Sequence, residues 1–141
     1  MKRSGVKGLV TLLVVSGIGN GVVRAESELF QVYLKFERAV AACEDVGCYR
    51  SVLQMYGSSS TREKLGTSTD QQLQQPFETA RGVANDRLKR ATNADLYVDQ
   101  ERIDGDAATL ILNIRSSPGL TSTVYLVRED GTWKIGKTHA E

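Results

Sequence analysis

The chain has 141 residues, with 18 basic against 17 acidic side chains and two cysteines, which suits one domain with one core. Its net charge of +1 misleads: four basic residues and no acidic one fall in the first 25 positions, so the remainder carries 14 against 17, near −3. A weakly acidic domain with scattered cations lacks the clustered basic face that nucleic-acid binding requires, so that class is set aside.

The chain opens as a secretory signal does. Lys2, Arg3 and Lys7 give a positive start, and Leu9 to Val15, broken only by Thr11, supplies a short apolar core. That run is too short to cross roughly 30 Å of hydrocarbon as a helix. Ser16, Gly17, Gly19 and Gly21 loosen the segment behind it, and Val23-Arg24-Ala25 places small residues where a signal peptidase reads. The expectation is cleavage after Ala25, giving a signal peptide at 1–25 and one domain at 26–141 in the periplasm or outside the cell. The alternative is an uncleaved membrane anchor. No cysteine lies near the cleavage point, so a lipid anchor is not indicated.

Leu29, Val32, Tyr33, Phe36, Val40 and Cys43 recur at helical spacing and predict an amphipathic helix over 28–43, with Glu37 and Arg38 on its wet side. Cys43 and Cys48 enclose Glu44-Asp45-Val46-Gly47, and in an oxidising compartment such a pair is most simply a disulfide. So small a ring contributes about 2 kcal/mol and pins a local turn. A redox-active pair usually has two intervening residues, and a metal pair needs further ligands; His139 is the one imidazole and sits in the tail. Tyr49, Val52, Leu53 and Tyr56 predict a second helix ending at Gly57. Ser58 to Thr61 can cap a short turn running to Leu65 and stopped by Gly66. Asp70 can cap a further helix, but Pro76 lacks a backbone donor. Either that helix kinks at Pro76 or the main segment starts there and runs to about Arg90, with Phe77, Ala80, Ala84 and Leu88 buried.

From Ala94 the period changes to alternation. Leu96 and Val98, with Ile103, line a first strand that ends at Asp104-Gly105-Asp106. Ala108, Leu110, Leu112 and Ile114 stand against Thr109, Ile111, Asn113 and Arg115 in a second, followed by the turn Ser116-Ser117-Pro118-Gly119. Thr121 to Arg128 forms a third, Glu129-Asp130-Gly131 a tight hairpin, and Thr132 to Thr138 a fourth through Trp133 and Ile135. Helices first and a meander afterwards predict an α+β domain with N-terminal helices packed on a four-stranded antiparallel sheet.

Ile103-Asp104-Gly105-Asp106-Ala107-Ala108-Thr109-Leu110 and Val127-Arg128-Glu129-Asp130-Gly131-Thr132-Trp133-Lys134-Ile135 resemble the nuclear transport factor 2-like superfamily, in particular its small exported bacterial members of unassigned function. The first helix and the stretch from Tyr56-Gly57-Ser58 to Arg62-Glu63-Lys64-Leu65 fit as well, so the resemblance spans most of 28–138. It implies a cone-shaped, cystatin-like arrangement in which a bent sheet wraps the helices and leaves a pocket at its open end. Family members use that pocket for catalysis, for small ligands or for protein partners, and fold does not select among these.

The chemistry visible in the sequence is sparse. There is no Gly-x-Ser-x-Gly elbow, phosphate-cradling loop or zinc-type pair, and no cofactor or metal site is expected. His139 lies where strands fray and makes a poor general base. Asp95, Asp99, Glu101, Asp104 and Asp106 cluster on one strand and its turn, without the spacing of a calcium loop. Tyr33, Tyr56 and Tyr125, with Arg115 and Arg128, are the candidate ligand-pocket residues; no catalytic residue is named. Tyr49 and Tyr97 complete the set of polar-aromatic candidates without being assigned to the pocket. The expected function is a non-enzymatic exported binding module for a small apolar molecule or an envelope protein, with no membrane span after cleavage and a homodimer open. The alternatives are a lyase or isomerase with an unrecognised tyrosine–carboxylate site, and an envelope interaction or toxin-neutralising protein. A closed apolar cone with no buried titratable side chain would rule against the enzyme; a deep cavity would favour a ligand, and a filled cone with a contiguous exposed apolar patch a protein partner.

Overall fold

A computed structural model describes residues 27–140, with side chains through Lys137. The expected signal peptide and the side chain of His139 lie outside the described residues. Four helices come first: α1 Glu28–Ala41, α2 Val46–Tyr56, α3 Ser59–Gly66 and α4 Asp70–Thr92. Four strands follow: β1 Leu96–Asp104, β2 Ala107–Ile114, β3 Thr121–Glu129 and β4 Thr132–Ala140. They pair antiparallel in the order β1-β2-β3-β4, so the α+β architecture is the one the sequence predicts.

Each helix start is set by a side chain that accepts a hydrogen bond from an orphan backbone N–H. Ser27 does this for α1, Asp45 for α2, Ser58 for α3 and Thr69 for α4, where Gln72 returns the bond to complete a capping box. Asp45 therefore starts α2 at Val46, ahead of the expected Tyr49, and puts Cys48 in the first turn. Cys43 and Cys48 form a disulfide with Cα atoms 5.4 Å apart, tying the end of α1 to the start of α2.

Pro76 neither stops nor starts a helix; α4 runs through it for 23 residues. Its missing N–H leaves the Gln72 carbonyl without an intrahelical partner, but both residues are exposed, so water can satisfy that carbonyl. Phe77 and Ala84 are buried on the inner side of α4, with Ala80 and Leu88 packed against the same core.

The alternation in β2 is as expected, with Ala108, Leu110, Leu112 and Ile114 buried. They share one core with Val124, Leu126, Trp133 and Ile135 of the sheet and with Leu29, Tyr33, Phe36 and Val40 of α1. Two bulges interrupt the register, at Asp99 between Val98 and Gln100, and at Gly136 opposite Tyr125 and Leu126. Each bulge bends its strand and raises the local twist. Past the first one β1 is an exposed edge, and Ile103 is 53% exposed instead of buried. The β3–β4 hairpin turns through Asp130 and Gly131, both at positive φ. β4 reaches Ala140, with His139 paired to Thr123 along the backbone, so pairing continues beyond the expected Thr138.

Candidate functional site

The junction between α2 and α3 is stitched to the last strand. Gly57 forms a parallel bridge with Ile135, and the Ser58 N–H donates to the Ile135 carbonyl at 3.0 Å. A Cβ at Gly57 would lie 2.4 Å from the Leu53 carbonyl oxygen, and one at Gly136 would lie 3.0 Å from that of Tyr125. Gly57 therefore leaves no room for a side chain, and Gly136 would accept one only if the neighbouring backbone gave way slightly. Beside the stitch lies a half-open cavity of about 180 Å³, lined by Phe36 of α1, Tyr49 and Leu53 of α2, Thr61 of α3, and Ile135 and Lys137 of β4 with the two glycines.

Tyr49 contributes a hydroxyl-bearing ring to its wall. The residue is buried, its ring lies 5.4 Å from that of Phe77, and no described residue takes a hydrogen bond from its hydroxyl. Burial pushes the phenol pKa up, and the nearby Glu37 carboxylate adds to the rise. Tyr49 is thus held as a neutral hydroxyl, able both to donate and to accept.

Behind that wall is a buried polar cluster. Glu37, expected on the wet side of α1, is only 5% exposed and accepts the Tyr33 hydroxyl at 2.8 Å. The helix packs against both α4 and the sheet, so its buried arc is wider than one stripe and takes in Glu37. Burial raises the Glu37 pKa, while the Tyr33 hydrogen bond and the Arg87 guanidinium oppose the rise. Burial, followed by the Glu37 charge, drives the Tyr33 phenol far above its ordinary range. Arg87 of α4 donates to the Ser122 hydroxyl on β3 at 2.7 Å. A tyrosine–carboxylate pair therefore exists, but its members face each other and neither lines the cavity.

The five residues singled out from the sequence are not brought together. Tyr33 belongs to the buried cluster. Tyr56 packs edge-on against Phe36, ring centroids 6.3 Å apart, one residue back from the cavity wall. Tyr125 is exposed beneath the Lys137 ammonium. Arg128 stacks on Trp133 and bonds Asp106 at 3.1 Å and the Gly105 carbonyl, away from the cavity lining. Arg115 stacks on Tyr97 at 4.4 Å, at the far end of the outer sheet face. Sequence reasoning missed Glu37, Arg87 and Ser122. The Tyr33–Glu37 spacing of four was the readable signal; Arg87 and Ser122 are joined only by tertiary packing.

No family model matches the chain, and no curated protein matches it. Among solved structures, a Campylobacter jejuni protein described as "Putative NTF2-like transpeptidase" is similar over 79% of this chain and 99% of its own, at 14% identity and a TM-score of 0.43. A likeness that distant brings no activity with it. Among the described residues no helix is long and apolar enough to cross a membrane, and no group of three or more potential ligands could hold a metal ion.

Proposed function

We propose that the chain is an exported, non-enzymatic binding module of the nuclear transport factor 2-like kind. Its cavity between α1, α2 and β4 takes a small molecule with an apolar body and one hydrogen-bonding head. The observation that carries this reading is the cavity itself: about 180 Å³, with a mostly apolar wall and one hydroxyl that bonds no described residue, that of Tyr49. A small number of placed polar groups in an apolar hollow is the usual build of a ligand site. Two features argue against catalysis. The buried carboxylate that could act as a base is engaged by Tyr33 and does not line the hollow. The described lining contains no histidine, acid or thiol. Export is supported by the basic–apolar–small order of the first 25 residues and by the disulfide.

The test uses para-cresol and hexanol, each with an apolar body and one hydroxyl, titrated into the purified protein while thermal unfolding is followed. Saturable binding should raise the melting temperature with ligand concentration, as mass action requires. Tyr49→Phe should weaken binding about tenfold, the effect of losing one hydrogen bond. Leu53→Trp should fill the hollow and abolish binding while the protein stays folded. Binding that survives Leu53→Trp unchanged, or no saturable shift with any such probe, rejects the site.

A further inference from the structure

A second hollow, sharing no lining residue with the first, lies on the outer sheet face. It measures about 270 Å³ and is bounded by Tyr97 of β1, Asn113 of β2, Arg115 just beyond it, and Pro118 and Gly119 of the β2–β3 turn. Three independent features converge on it.

The first is an uncompensated cation. Arg115 lays its guanidinium over the Tyr97 ring at 4.4 Å and donates from Nε to the Ala94 carbonyl at 3.0 Å. Stacking fixes the plane and leaves the in-plane donors at its edge available, the geometry that suits bidentate capture of a carboxylate. No carboxylate pairs with Arg115 among the described residues. Its neighbour Asp95 is spent elsewhere, on the Ser116 N–H and hydroxyl and on Arg90.

The second is an orphaned acceptor. The Asn113 Oδ1 is buried and has no hydrogen-bond partner, a state that native proteins rarely leave uncorrected. Asn113 lines the hollow, and the last torsion of asparagine is soft, so its amide can rotate to meet a donor placed there. The third is rigidity. Arg90, Asp95 and Ser116 tie the end of α4 to the β2–β3 turn with bonds of 2.7 and 2.8 Å, so the wall is built before any ligand arrives. Walls that are already ordered lower the entropic cost of binding.

Arg115 follows Asn113 by two positions, and its N–H donates to the Asp95 carbonyl at 2.8 Å, so the extended pairing of β2 carries on one residue past its end and the two backbones stand about 6.5–7 Å apart. A donor and a carboxylate on adjacent carbons span that gap once a hydrogen bond is added at each end. We propose that this hollow is a binding site for a small α-hydroxy or α-amino carboxylate, with Arg115 holding the carboxylate and Asn113 accepting from the neighbouring hydroxyl or ammonium. It is separate from the cavity beside Tyr49 and would stand if that cavity proved empty.

The test follows backbone amide shifts of the purified protein during titration with L-lactate, glycine, acetate and sulfate. L-lactate and glycine should move the amides of Tyr97, Asn113, Arg115 and Gly119 saturably and leave those of Tyr49 and Leu53 in place. Acetate, which has the carboxylate without the donor, should bind about tenfold more weakly, and sulfate likewise. Arg115→Lys keeps the charge but loses the fork, and should cost at least about tenfold. Asn113→Leu should make acetate and L-lactate equivalent. Equal binding of acetate and L-lactate by the unaltered protein overturns the proposal. So does affinity indifferent to Arg115→Lys, or no saturation at concentrations that a Kd of about 1 mM would reach.

Discussion

Glu37 is a carboxylate where a leucine would cost less. Its folded pKa lies above the ordinary 4.5, driven by burial, and the Tyr33 hydroxyl and Arg87 only partly offset this. The stability it contributes is therefore fully present below that unfolded value and is lost as pH rises through the raised folded value. Glu37→Gln keeps an acceptor for Tyr33 and removes the ionisation. Urea denaturation between about pH 4 and about pH 8 should show the variant gaining on the parent as pH rises, with the two nearest at the acid end. Parallel curves would mean the carboxylate feels no desolvation. The sequence could not supply this residue's environment. A charge at an amphipathic boundary reads as solvated, and what covers Glu37 is α4, which brings Arg87 from fifty positions downstream.

Arg50 works between elements. Its guanidinium donates to the Leu65 carbonyl at 2.9 Å, to the Ser68 carbonyl at 2.9 Å and to Asp70 at 2.7 Å. It thereby closes the C-terminal end of α3 and the acidic start of α4 with one side chain carried by α2. Arg50→Ala should destabilise by about 1–2 kcal/mol, since two carbonyls lose a charged donor while Asp70 stays in water. Arg50→Lys should recover less than half, because one ammonium cannot span three acceptors; full recovery in a denaturation series would refute the clamp. At this scale the sequence was largely legible. The strands of the meander follow from alternation and from Asp-Gly turns, and the helix starts from Ser, Thr and Asp caps. The reading was undecided at Pro76 because local rules cannot say that the freed Gln72 carbonyl opens to water. It misplaced Ile103 because the bulge at Asp99 and the uncovered end of β1 leave no mark in the alternation.

For the molecule as a whole, the sequence predicted helices on a meander, and the structure has them. It did not predict which residues meet: the hollow beside Tyr49 joins Phe36 to Lys137, and the one beside Arg115 depends on the pairing of β1 with β2 and on the turn that follows. The disulfide acts on a short ring, so its effect is confined to the α1–α2 corner. Replacing both members, Cys43→Ala with Cys48→Ala, should lower stability by about 2 kcal/mol and leave para-cresol binding beside Tyr49 intact. A loss of binding in the double variant would show that the corner also shapes the hollow. The bridge from Gly57 to Ile135 has a wider consequence. A polypeptide delivered front end first presents its helices early, yet the Ser58 amide has no native acceptor until residue 135 emerges. Long-range closure of that kind is slow and comes late. The α2–α3 junction therefore reaches its native hydrogen bonding only once β4 is in place, so this corner should be among the last parts of the fold to gain amide protection during refolding.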